Sequence, residues 1–429
     1  MDQPIKKNIH GIDVYYIKST KFKTITWSFV FTHSAGTERI NERYFLSNIL
    51  VDNMKKYPTF VKKYRYLSSL YGLDAYSNVM TIGANVINQF VVTYPNEIYI
   101  GNGSDLSEKA FEFLNEVIVN PKMREGKLTR KVWKDQMDEA KQSFRIMKSI
   151  KDMYAFYRFS QVYYEDKPGL QYNFPDNDRL NEVTLETLTD SYERLLTESM
   201  VSLYVTGNFD EAMMDKIIEN NFSQKIGNNK LQTSFRAYPY TPEKEPKTVK
   251  EYGDVSQARI FIGFQTDIGY FSDMHPAMSV FNNIFGGFDQ SKLFMDIREK
   301  SHLAYYVDSN YLPEENMIVV PIICDFGKED IVIEKVKIAL SEIIAGDFSD
   351  TLFRQAKTDA LNSINSINDS QSIYLLQHIK SFQLFNEKYD LEARIKKYEN
   401  ITREDIIQAA KSLVLDTVYI NTKGGNGHA

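Results

Sequence analysis

The sequence predicts an α+β protein of two related domains, each a mostly antiparallel sheet with helices packed on one face. Three observations carry this prediction. Strand patterns of period two and helix patterns of period 3.6 come in runs, strands in pairs and then helices in pairs, rather than in strict alternation. The order of elements restarts after a polar, proline-bearing segment at about Asn220–Gly253. The stretches Tyr66–Ser77 and Arg298–Ser309 share one design, a helix end running into a strand that starts at a leucine and carries an aromatic residue. The expected division is residues 1–222, a linker at 223–252, and residues 253–429.

The elements follow in order. Ile12–Ile17 alternates as a strand, and Thr24–His33 is a second strand rich in β-branched and aromatic residues. From Glu42 to Met54, the residues Phe45, Leu46, Ile49, Leu50 and Met54 fall at helical spacing, until Tyr57-Pro58 breaks the pattern. A second helix, Val61–Tyr71, ends at Gly72, and Leu73–Asn85 with Val86–Tyr94 reads as a strand pair. Leu106–Val119 is an amphipathic helix stopped by Asn120-Pro121. A long charged helical region, Thr129–Phe159, ends in Tyr154, Phe156, Tyr157 and Phe159, an aromatic group expected in a core. Helix Leu185–Leu196, strand Met200–Gly207 and helix Glu211–Glu219 close the first half. After the restart come strand Ala258–Gln265, helix Pro276–Phe285, a short helix ending in Arg298-Glu299-Lys300, a strand from Leu303, and strand Met317–Cys324. Helices Asp330–Ala345, Asp350–Asn368, Ser372–Leu384 and Glu399–Leu413 precede a closing strand, Asp416–Asn421.

Composition narrows the function. The apolar share of 43% and the charged share of 25% are those of an ordinary globular protein, and the net charge of -6 argues against a broad nucleic-acid surface. The pairs Lys55-Lys56 and Lys62-Lys63 read as local, solvated faces. One cysteine, Cys324, lies in an apolar run and reads as a buried small residue, so no intrachain disulfide forms. The polar start lacks a signal-peptide core, and no stretch reaches the roughly 18 apolar residues that span a bilayer. The expected location is the cytoplasm of a bacterium, with neither membrane nor nucleic acid as a partner. There is no phosphate-binding glycine loop, no dinucleotide fingerprint and no Gly-x-Ser-x-Gly elbow. No two of the six histidines stand four apart on a helix, and each reads as a surface or capping residue.

The stretch with the most chemistry is Asn282–Val307. Gly286-Gly287 fits a helix stop and a close backbone approach. Arg298 and Tyr305 lie seven residues apart across a helix-to-strand corner, where both could face one cleft. A guanidinium fork and a phenol suit a peptide carbonyl or a carboxylate. Spacing alone also allows an incidental surface arginine and a half-buried strand tyrosine, and it favours that reading.

The restart, the Gly-Gly…Ser-Lys-Leu-Phe run at Gly286–Phe294, the Arg298…Tyr305 corner, Asn120-Pro121 with its following long helix, and Val205–Asp210 together resemble the pitrilysin/insulinase metallopeptidases. The chain is most similar to their two-domain bacterial branch, whose members form a clamshell half. With Tyr57-Pro58-Thr59 and Leu70-Tyr71-Gly72 it looks like the members associated with elongation factor P modification in bacilli. Active members carry His-x-x-Glu-His on the helix after the second strand, two zinc ligands and a general base. The resemblance puts Tyr44 and Asn48 at the histidine positions and Ser47 at the glutamate position, none a competent substitute. Glu139, or its neighbour Asp138, falls near the third ligand position. No zinc is therefore expected in this chain. The resemblance also implies that Arg298 and Tyr305, with the Gly286-Gly287 loop, bind substrate backbone, although Phe288 stands where the family often has a third glycine. The expected function is a non-catalytic subunit of a heterodimeric zinc peptidase, binding an unfolded peptide beside the zinc of a homologous partner subunit. The alternative is a scaffold or peptide-binding protein with no proteolytic role, linked to elongation factor P modification.

Overall fold

The computed structural model describes residues 4–34, 40–82, 85–100, 105–165, 167, 177–227, 245–385 and 387–424. In chain order its elements are β1 (Ile5–Ile9), β2 (Ile12–Lys18), β3 (Thr24–Ser34), α1 (Ile40–Asp52), α2 (Phe60–Ser69), β4 (Asp74–Ile82), β5 (Asn85–Pro95), α3 (Leu106–Val119), β6 (Met123–Arg124), β7 (Lys127–Leu128), α4 (Arg130–Ser149) and α5 (Lys151–Tyr164). They continue through α6 (Leu185–Thr197), β8 (Met200–Gly207), α7 (Glu211–Asn221), β9 (Lys247–Tyr252), β10 (Ala258–Gln265), α8 (His275–Phe285), β11 (Ala304–Val307), β12 (Asn310–Leu312) and β13 (Met317–Cys324). The last are α9 (Glu329–Ile344), α10 (Asp350–Ser366), α11 (Gln371–Phe385), α12 (Leu391–Glu399), α13 (Arg403–Lys411) and β14 (Val414–Thr422). The chain forms two compact units.

The first unit holds residues 1–144, 173–235 and 371–389. Its sheet runs β1-β2-β8-β3-β5-β4, antiparallel except where β2 meets β8. Strand alternation sorts β3 between two faces. Trp27, Phe29 and Phe31 enter a core shared with Phe45, Leu46 and Ile49 of α1 and Phe111 and Leu114 of α3. The other face of β3 is mostly polar, with Val30 among Thr26, Ser28 and Thr32: Thr26 bonds Thr93 at 2.9 Å, and Ser28 Oγ accepts from Gln89 at 2.9 Å. Helix α11 covers this polar face with an amide at each end. Gln371 Nε2 donates to the carbonyls of Thr24 and Thr206 at 3.1 Å each. Gln383 accepts from Thr32 at 3.1 Å and donates to Ser202 at 3.2 Å. Between them Phe382 lies on the Tyr15 ring, 4.2 Å between centroids.

The second unit holds residues 145–172, 236–370 and 390–429. Its sheet runs β11-β13-β10-β14-β9, with β12 also on β13, and only β9 and β14 are parallel. Ile260, Ile262 and Phe264 of β10 face a core with residues of α8, α9, α10 and α13, whereas Phe261 points to the other face. There α5 packs, with Phe159 5.6 Å from Phe261 between ring centroids. Gly263 makes room for it: a Cβ on this residue would sit 2.9 Å from the Phe159 ring and 3.1 Å from Tyr163. Arg158 to Glu251 at 2.6 Å and Lys167 to Asp416 at 3.1 Å tie the helix down.

Among the described residues, each sheet thus has its main helical layer on one face and one helix on the other. That single helix comes from the opposite half of the sequence, α5 for the second sheet and α11 for the first, so the compact units do not follow the division at 222 and 253. Amphipathic spacing says that a helix has a buried face but not which sheet receives it. The expected linker lies largely at 228–244, outside the described residues, but its end, Lys247–Tyr252, is an edge strand beside β14. The helical region expected as one element at 129–159 breaks at Ile150, whose φ of -90° and ψ of 96° are extended. The helix expected at Glu399–Leu413 is α13, starting only at Arg403 because Thr402 and Asp405 form its capping box, and a separate helix, α12, ends at Glu399 before it.

Candidate substrate-binding site

The Arg298–Tyr305 corner lies in the second unit and is built from three departures from regular geometry. The approach begins at the end of α8. Gly286 closes this helix, its N–H donating to the Asn282 carbonyl at 2.9 Å. A Cβ there would lie 2.7 Å from Ser309 Oγ and 2.8 Å from the Ser309 nitrogen, so glycine is needed for the backbones to meet. Asn282 and Ser309 lock the contact: Ser309 Oγ donates to Asn282 Oδ1 at 2.9 Å, and Asn282 Nδ2 donates to the Ser309 carbonyl at 3.0 Å. A Cβ on Gly287 would lie 2.8 Å from the Asn282 amide nitrogen. Both glycines therefore serve close packing at this junction.

The first departure is the short helix. Phe294–Glu299 is a π-helical turn, closed by the Lys300 N–H on the Met295 carbonyl at 2.9 Å. Such wide turns insert one residue and re-aim the side chains that follow. Leu293 and Ile297 stay buried and anchor the turn, while Arg298 projects outward. Its guanidinium carbon lies 4.8 Å from the Phe294 ring centroid, a stacking contact one turn back. Glu299 approaches its Nε only to 3.8 Å, which leaves the guanidinium fork largely open. The second departure is His302, left-handed at φ 49°. The Leu303 N–H reaches back to the Ile297 carbonyl at 2.9 Å, holding the turn against the strand that follows.

The third is a β-bulge. Along β11, Ala304 pairs with Cys324 and Tyr306 with Ile323, so Tyr305 is an extra residue. Regular alternation would bury one of two successive side chains. The bulge instead turns both outward, Tyr305 58% and Tyr306 42% exposed. Tyr305 O–H donates to Asp325 Oδ1 at 3.0 Å, and Lys328 grips Asp325 Oδ2 at 2.9 Å. The lysine hydrogen bond, then that of Tyr305, holds the Asp325 carboxyl below its usual range, and the Asp325 carboxylate raises the phenol in turn. Tyr306 O–H donates to Asp308 at 3.0 Å, and burial followed by the Asp308 charge pushes this phenol up to about 12. The turn and β11 pack directly on one another, so Arg298 and Tyr305 share one corner of the unit.

The positions aligned with a zinc motif lie in the first unit. Tyr44 is half-buried against the core, edge-on to Phe45 at 5.7 Å. Ser47 is buried, and its Oγ accepts from Asn88 at 2.7 Å. Asn48 is half-buried on the same helix. Glu139 is exposed on α4 and takes a hydrogen bond from Gln136 at 3.0 Å. These side chains offer a phenol, a hydroxyl, an amide and one exposed carboxylate, a donor set that does not fit zinc. Among the described residues, no three His, Cys, Asp or Glu side chains group as metal ligands do.

The structure also corrects two histidines and adds an arginine. His33 and His378 are buried rather than surface residues. Arg43 is fully buried in the first turn of α1, with its guanidinium 3.4 Å from His33 Nδ1, and Arg194 approaches Nε2 of the same ring at 3.4 Å. The signal available in the sequence was an arginine within the apolar-flanked start of α1. Tyr306 was missed because alternation assigns only one of two adjacent tyrosines to the surface, and Asp308 and Asp325 because nothing in their spacing ties them to the tyrosines they bond. Cys324 is buried as expected, and burial pushes its thiol up to about 12.

Residues 182–359 match the family model described as Peptidase M16 inactive domain. Over 433 aligned residues the chain is 26% identical to the probable inactive metalloprotease YmfF of Bacillus subtilis, covering 99% of this chain and 98% of that protein. Among solved structures, a conserved protein from Enterococcus faecalis superposes with a TM-score of 0.90 at 24% identity, with full coverage of both chains. The periplasmic protease PqqL from Escherichia coli superposes with a TM-score of 0.73 at 13% identity, covering 98% of this chain and 45% of that one.

Proposed function

Because the chain carries a Peptidase M16 inactive domain and is built on the fold of that peptidase family, we propose that it is the non-catalytic, substrate-binding subunit of a heterodimeric zinc peptidase. The observation that carries this reading is the contrast between its two candidate sites. Tyr44, Ser47 and Asn48 offer a metal no imidazole, thiolate or carboxylate, yet Arg298 and Tyr305 are presented outward by three successive backbone irregularities. Irregular backbone of this kind persists where function requires a set direction for side chains.

In this reading a homologous subunit with an intact His-x-x-Glu-His motif supplies the zinc and the general base. This chain supplies orientation. Arg298 donates to a backbone carbonyl of an unfolded peptide beside the scissile bond, and the Tyr305 phenol fixes the strand next to it. The length relation to PqqL supports a pairing of halves, since a chain of this size accounts for 45% of that protease. The setting is cytoplasmic.

The test is to co-express the chain with such a partner and count zinc. The expected result is one zinc per heterodimer and peptide cleavage by the pair only. Stoichiometric zinc and cleavage in this chain alone overturn the proposal. A stable complex that binds peptide but never cleaves it favours a scaffold instead.

A further inference from the structure

The first unit gathers exposed apolar side chains on one short helix. Phe60 is 67% exposed, Val61 56% and Tyr64 50%, and all lie in the first turns of α2. Phe60 and Tyr64, one turn apart, meet with tilted rings at 4.1 Å between centroids. Tyr71 just after α2, and Ile98 and Tyr99 just after β5, are exposed as well. Asp74 at the start of β4 pairs with Thr93 near the end of β5, so these three sit at the sheet end that α2 leads into.

Cations flank α2. Asp52–Gly72 holds Lys55, Lys56, Lys62, Lys63 and Arg65 against the single carboxylate Asp52, in a chain whose net charge is -6. Lys63 is buried and bonded to Asp52. Among the described residues, Lys55, Lys56, Lys62 and Arg65 enter no ion pair, although Glu116 accepts from the Lys56 backbone N–H at 2.9 Å. The helix cannot rotate to hide its aromatics. Thr59 caps it, Leu67 and Leu70 are buried beneath it, and Tyr66 stacks on Tyr57 at 4.5 Å.

We propose that this face of α2 docks on an anionic lipid bilayer. An interfacial helix presents aromatic side chains to the acyl boundary and lysine or arginine to the headgroups, and both kinds are exposed here on one short, anchored helix. Diffuse lipid charge also suits cations that no carboxylate of the unit holds. The lysine pairs read as solvated faces in the sequence thus gain a partner. Surface docking needs no spanning segment, and none of the described helices is long and apolar enough to cross a membrane. The proposal is independent of the peptidase reading.

The experiment is co-sedimentation of the full chain with vesicles of phosphatidylcholine, with and without phosphatidylglycerol. The chain should bind only the anionic vesicles and be released by high salt. Phe60→Ser with Tyr64→Ser should abolish binding. Lys62→Ala and Arg65→Ala should each weaken it about fivefold, the contribution of one interfacial cation. All four positions are exposed, and unchanged circular dichroism certifies the fold of each variant. Absence of binding to anionic vesicles overturns the proposal. So does binding that the Phe60/Tyr64 variant retains.

Discussion

Replacing His378 by Phe should remove most of the acid sensitivity of the first unit. His378 is 1% exposed in the buried face of α11, and neither ring nitrogen has a hydrogen-bond partner. Its neighbours are rings: Tyr374 edge-on at 4.6 Å, Tyr389 at 5.3 Å and Phe382 at 6.4 Å between centroids. Burial alone pushes the imidazole from 6.5 down to about 3. The sign follows from where the proton goes. Above 6.5 the ring is neutral whether the chain is folded or not. Between 6.5 and about 3 only the unfolded chain takes up the proton, so stability falls as pH falls. The slope is ~1.4 kcal/mol per pH unit, which makes the loss ~2 kcal/mol at pH 5 and at most ~5 kcal/mol near pH 3. Against a typical stability of ~5–15 kcal/mol, this is a substantial share of what holds the unit folded in acid. Both tryptophans, Trp27 and Trp133, belong to the first unit, so their fluorescence follows its unfolding. Urea titrations near neutrality and near pH 5 should show the loss in the parent chain and not in His378→Phe. Near neutrality the variant should be no less stable, because it no longer desolvates two unpaired nitrogens. An equal loss in both proteins refutes the reasoning.

Other expectations follow from the packing. Gly286→Ala places a methyl 2.7–2.8 Å from Ser309 atoms, including its backbone nitrogen. It should destabilise the second unit by ~1–3 kcal/mol in a denaturant titration, and a neutral result would mean that the junction has slack. Cys324, buried and with its thiol pushed up to about 12, should resist Ellman's reagent in the native protein and react once unfolded. Gly263→Val should loosen α5 from the second sheet, since the glycine Cβ position lies 2.9 Å from the Phe159 ring, and faster amide exchange in Lys151–Tyr164 would register it.

Much of the fold was legible because periodicity reports burial. The alternation in Thr24–His33 and Ala258–Gln265 and the 3.6-period stripe of Leu106–Val119 match β3, β10 and α3 closely. What periodicity cannot report is which surface receives a buried face. The aromatic end of Thr129–Phe159 was expected in a core, but the partners that place this core in the second unit, Phe261, Met317 and Tyr419 with the recess at Gly263, are distant in sequence. Short edge strands such as β1 and β9 carry too few apolar residues to stand out, with β9 alternating only between half-buried and exposed. At the candidate site, spacing singled out Arg298 and Tyr305 but favoured an incidental pair, and only the resemblance gave them a role. A π turn and a β-bulge each insert one residue, and an insertion shifts the periodicities on which pattern reading depends. The same bulge hid Tyr306. Arg43 was hidden for the opposite reason, because a buried guanidinium breaks the rule that charge marks the surface.

The central claim is that this chain orients a peptide at a zinc held by another subunit. The most direct measurement is kcat/KM for cleavage of an unfolded peptide by the reconstituted pair, comparing the parent chain with its Arg298→Ala, Tyr305→Phe variant. A kcat/KM lower by about 100-fold, with zinc content and heterodimer formation unchanged, is the predicted result. Unchanged cleavage by the variant pair contradicts the account.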